Sequence, residues 1–146
     1  MYDKMGKWAE SVRQHPPHIV DSRKQKSLVI SIRQQARNSK YSIVEGDECF
    51  ICSEDVVEVL RKHHLVLVAA YPLAGNELNE HIAILCENCH DVAHRLIYGE
   101  RGGISWKSVE KLKEAGYWDR FVELDRMAAE ALKVLHKREN QLLLAM

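Results

Sequence analysis

Apolar and polar positions divide this chain into helical and extended stretches. After the breaker His15-Pro16-Pro17, basic residues surround an apolar centre of Leu28, Val29, Ile30 and Ile32, and residues 18–38 read as a helix with Asp21 or Ser22 as N-cap. Leu65 to Ala70 form an unbroken β-favouring apolar run, and Ile82 to Leu85 a second. Two strands are therefore predicted, joined by a loop over Pro72 to Glu80 in which Gly75-Asn76 is the turn signal. The next helix starts around Cys86-Glu87 and ends near Tyr98-Gly99, with Gly102-Gly103 as a joint. Ser105 caps a short helix to Ala115, Gly116 closes it, and a longer helix runs from about Trp118 to Leu143. On that helix Phe121, Leu124, Ala128, Leu132 and Leu135 recur at three and four, an apolar stripe.

Helices flanking a short pair of strands make the expected class α+β. With 146 residues, 46% of them apolar, the chain suffices for one compact domain or a small core with helical additions. No apolar run approaches the length of a membrane span. Met1 to Glu10 contain no apolar segment of the secretory kind, so a reducing cytoplasm is expected and disulfides are not.

Candidate chemistry is concentrated between Cys49 and His94, a stretch holding all four cysteines and five of the eight histidines. Cys49-x-x-Cys52 and Cys86-x-x-Cys89 are separated by 33 residues, and two such knuckles can converge on one tetrahedral zinc ion. Buried free thiols are the bland reading, but the paired spacing favours structural zinc. His90 and His94 stand four apart, so a helix places both imidazoles on one face. His63 and His64 are adjacent, and in an extended segment they point to opposite sides. One can then ligate a metal while its neighbour acts as a base.

The order Cys-x-x-Cys, His-His, a polar residue five before the second knuckle, Cys-x-x-Cys-His and a last His resembles the HNH nucleases, the ββα-metal or His-Me finger superfamily, in their four-cysteine branch. His81-x8-His90-x3-His94 also repeats the Asn-x8-His-x3-His spacing of the DNase colicin nuclease domains. The likeness covers about fifty residues and leaves both flanks uncovered. It implies a zinc-stabilised ββα-metal finger at 45–100; charge and periodicity make 1–44 a basic, mostly helical arm and 101–146 a helical extension. It further implies that His64 is the general base and that His63 and His90 hold a divalent cation (Mg²⁺, Mn²⁺, Ni²⁺ or Zn²⁺), with His94 as third ligand or phosphate contact. His81 stands where the family usually has Asn, the residue that steadies the loop carrying the base; Asn79, two positions earlier, is the other candidate for that role.

The resemblance implies an endonuclease acting on DNA rather than RNA, which the residues do not exclude, in a phage, restriction or defence setting. A catalytically inactive zinc module that binds nucleic acid or protein is the other reading. Charge bears on both: residues 1–44 carry nine Lys and Arg against three acids, whereas 45–100 carry three against eleven. An acidic core is an awkward partner for a polyanion, so Arg33, Arg37 and Lys40 of the arm are the candidate phosphate contacts. The long apolar stripe and the apolar end from Leu142 to Met146 point to a homodimer or a protein partner.

Overall fold

Two antiparallel strands, β1 (Leu60–His64) and β2 (Ile82–Cys86), pair in a register that sets Leu60 opposite Cys86 and His64 opposite Ile82. The computed structural model describes residues 5–17, 42–67, 71 and 81–144; the helix expected over 18–38, Arg33, Arg37, Lys40 and Asn79 lie outside them. Among the described residues four α-helices complete a mixed α+β fold: α1 (Lys7–Gln14), α2 (Glu87–Leu96), α3 (Trp106–Glu114) and α4 (Trp118–Leu144). None of them is long and apolar enough to cross a membrane.

The first strand lies earlier than the apolar run predicts. Pairing uses Leu60–His64, in which Leu60 and His63 are buried and Arg61, Lys62 and His64 are more exposed, and one further ladder bond runs from Leu65 N–H to the His81 carbonyl at 3.0 Å. Leu65 and Val66 then bend into the core, both at most 1% exposed. A continuous apolar run reports burial, not extension, and at Leu65 and Val66 burial is what it delivers.

Cys86 ends β2 and caps α2: its sulfur accepts the Cys89 N–H at 3.4 Å. The helix therefore leaves the strand without an intervening loop. The two C-terminal helices follow their sequence signals. Ser105 Oγ accepts the Ser108 N–H at 3.2 Å at the start of α3. At the other end Gly116 takes φ 80°, its N–H reaches the Lys113 carbonyl, and Tyr117 N–H reaches the Leu112 carbonyl at 2.9 Å. This paired closure needs a left-handed residue, which glycine supplies without a Cβ clash.

Phe121, Leu124, Ala128, Leu132 and Leu135 are all buried, and α1 packs along α4. The stripe on α4 is thus covered by the chain itself and leaves no apolar seam along those positions. Asp125, on the same helix and fully buried, accepts the amides of Gly6 at 3.1 Å, Lys7 at 2.8 Å and Trp8 at 3.0 Å. These are donors that an α-helix cannot satisfy at its own N-terminus. Gly6 has φ 106° and α1 has no side-chain cap from its own sequence, so Asp125 supplies the cap from 117–119 positions away.

Candidate metal centres

The four cysteines converge. One ligand atom from each of Cys49, Cys52, Cys86 and Cys89 lies within 4.8 Å of all the others, and none is in a disulfide. Cys49 and Cys52 lie on a turn closed by Ser53 N–H to the Cys49 carbonyl at 2.9 Å, with Ser53 in the left-handed region at φ 64°. Phe50 N–H bonds the Ile84 carbonyl at 2.8 Å, which fixes that turn to β2 beside the second knuckle. Ile51 N–H reaches the Cys49 sulfur at 3.4 Å, the counterpart of the Cys89 bond to Cys86.

Cys52 and Cys86 sulfurs stand 3.7 Å apart. Tetrahedral zinc at its usual bond length to sulfur sets neighbouring sulfurs about 3.8 Å apart, so the donor set and spacing fit a metal. Ionisation agrees: the hydrogen bond from Cys89 pulls Cys49 down to about 4 while the same contact, with burial, pushes Cys89 up. Burial raises Cys52 as well. The thiolate is favoured at Cys49 and opposed at Cys52 and Cys89, where a bound cation would favour it.

The second cluster is made of imidazoles. His63 from β1 and His90 and His94 from α2 each bring a ring nitrogen within 4.8 Å of the other two. Ring centroids of His63 lie 5.2 Å from His90 and 5.4 Å from His94, and His90 and His94 are 4.6 Å apart, all edge to face. The predicted (i, i+4) spacing on a helix is realised, with the two Nε2 atoms 3.1 Å apart. Nitrogens on one tetrahedral zinc stand about 3.4 Å apart, close to this value.

Protonation of the cluster is opposed. Burial lowers the His63 pKa well below the usual value, and neighbouring His90, His94 and His64 lower it further. Burial and His94 lower that of His90. Neutral imidazole is the form that ligates. His63 Nδ1 is a buried atom with no hydrogen-bond partner, an orphan that an ion would satisfy.

Around these rings lie residues that motif spacing does not reveal. Glu100, in the short turn after α2, pairs with His94 Nδ1, the carboxylate–histidine arrangement that orients metal ligands. Tyr98 Oη stands 3.0 Å from His63 Nε2 and donates to the Leu65 carbonyl at 2.5 Å. Trp8 packs edge to face with Tyr98 at 5.0 Å between centroids. Glu87, His90, Asp91, His94, Glu100 and Arg101 line an open recess of about 360 Å³ beside the cluster. Its acids are engaged: Arg61 pairs with Glu87, and Asp91 accepts Arg95 Nε at 3.0 Å and Arg101 at 2.9 Å.

His64 and His81 are not among the three clustered imidazoles. His64 follows His63 on β1, partly exposed, and successive strand residues face opposite sides. His81 is buried, and its main-chain carbonyl is what holds Leu65, the residue after His64. Any residue type supplies a carbonyl, so this contact does not itself require histidine. Comparison with family models, curated proteins and solved structures finds no match to this chain.

Proposed function

We propose that this chain is a metal-dependent endonuclease of the HNH, or His-Me finger, class, hydrolysing phosphodiester bonds in DNA, with β1, β2 and α2 as its ββα-metal finger. The observation that carries the reading is the convergence of His63, His90 and His94 from a strand and the following helix, with a second histidine, His64, next to the first. The four-cysteine cluster at the junction of β2 and α2 supports it as the structural zinc site of such a finger.

His63, His90 and His94 would hold a divalent cation, which would supply positive charge against the scissile phosphate and the departing oxygen. His64, held through both chain neighbours, takes the proton from the attacking water; imidazole suits this task because its ordinary pKa lies near neutrality. His81 steadies the segment bearing His64. Direct hydrolysis requires no covalent enzyme intermediate. An imidazole ligand set favours Mn²⁺, Ni²⁺ or Zn²⁺ over Mg²⁺, which prefers oxygen.

One observation favours a non-catalytic zinc module instead: the recess beside the imidazoles is lined by Glu87, Asp91 and Glu100. Incubation with supercoiled DNA and a matched RNA, in Mn²⁺, Ni²⁺ or Mg²⁺, separates the readings. The nuclease nicks or cuts DNA, and His64→Ala lowers the rate by about 10²–10⁴-fold while metal content and folding persist. Intact DNA from a folded, fully metallated wild-type protein would remove the nuclease reading.

A further inference from the structure

The hydroxyl of Tyr98 touches both chain neighbours of His64. It stands 3.0 Å from His63 Nε2 and 2.5 Å from the Leu65 carbonyl oxygen. A phenol has one proton to donate, and a carbonyl can only accept. The proton of Tyr98 therefore goes to Leu65, and the hydroxyl oxygen is left to accept from His63. Nε2 must then carry the imidazole proton. Nδ1 is the other ring nitrogen, buried and without a hydrogen-bond partner. A proton on Nδ1 would have no acceptor, whereas a lone pair there has the neighbouring imidazoles of His90 and His94 with which to share an ion.

We propose that Tyr98 is a positioning residue: its hydroxyl fixes His63 in the Nε2–H tautomer, makes Nδ1 the ligand atom, and ties the main chain after His64 to the same point. The proposal rests on His63, His90 and His94 forming one metal centre and is independent of phosphodiester chemistry. Metal-ligating histidines are set by the bond their other nitrogen makes, usually to a carboxylate or carbonyl. Glu100 does this for His94. For His63 a neutral hydroxyl takes the same place, its oxygen bonded to Leu65 and its ring packed edge to face with Trp8. The indole belongs to α1, so the docking of α1 on α4 reaches the imidazole cluster through two aromatic rings.

Long-range ¹H–¹⁵N correlation spectra of the full chain, with zinc kept on the cysteines, read the tautomer directly, and His63→Asn assigns the signals. Before further metal is added, His63 is expected to show a protonated Nε2 and an unprotonated Nδ1. Added Zn²⁺ should move the Nδ1 resonance and leave the Nε2 proton in place. Tyr98→Phe should populate both tautomers and weaken Co²⁺ binding at the imidazoles about 10–100-fold, with the cysteine-bound metal retained. A proton on Nδ1 in the wild type, or a metal-induced shift at Nε2, would overturn the assignment whatever the variant does. So would unchanged Co²⁺ affinity in folded Tyr98→Phe. Zinc bound through Nδ1 with DNA left intact would support the role of Tyr98 and count against the nuclease alone.

Discussion

His63 is wholly buried and touches two other imidazoles, and both conditions disfavour its charged form. In the unfolded chain it returns to an ordinary value near 6.5. As pH falls through that value the unfolded state takes up a proton that the folded state refuses, so stability present at neutral pH is lost on acidification. His90, lowered in the same direction, adds to the effect. The urea midpoint of protein carrying metal only on its cysteines should therefore drop between pH 7.5 and pH 5.5. His63→Leu should flatten that dependence; an equally steep profile in the variant would show that other groups control it. The ligand types and their spacing were readable from the sequence because each knuckle and the pair on the helix are local patterns. Tyr98 and Glu100 were not, since neither lies at a motif spacing and each acts through a contact that exists only once the chain turns after α2.

At the level of elements, α1 is the one most dependent on a distant residue. Three of its leading amides are satisfied by Asp125, whose burial raises its pKa against the pull of those same N–H groups. Removing the carboxylate leaves donors unpaired in a largely covered place, a loss of about 1–3 kcal/mol. Asp125→Ala should lower the unfolding free energy by that amount and speed hydrogen exchange in residues 7–14 more than in α3. Asp125→Asn, which keeps an acceptor oxygen, should recover part of it. The capping role of Asp125 was not legible in the sequence, because the amides it accepts lie more than a hundred positions away. The ends of α3 were legible for the opposite reason: Ser105 and Gly116 act within their own turns.

Across the molecule the two clusters differ in what depends on them. A metal held by the four cysteines would join the turn at 49–53 to the start of α2, and binding energy of this kind is folding energy. Cys86→Ser should abolish cooperative unfolding and with it metal binding at both clusters. His90→Ala should remove only the second ion, leaving the zinc on the cysteines and a melting transition close to that of the wild type. Metal counting on the two purified variants checks this asymmetry; a loss of both ions from His90→Ala would contradict it.

Helix α2 places Cys89 in one cluster and His90 and His94 in the other within a single ten-residue span. Each added residue turns an α-helix by about 100° and advances it by about 1.5 Å. The two clusters are therefore in phase with each other, and the phase is written in the number of residues between them. A single insertion between Cys89 and His90 would swing both imidazoles away from His63 while changing no ligand. Length, here, is as strict a requirement as chemistry.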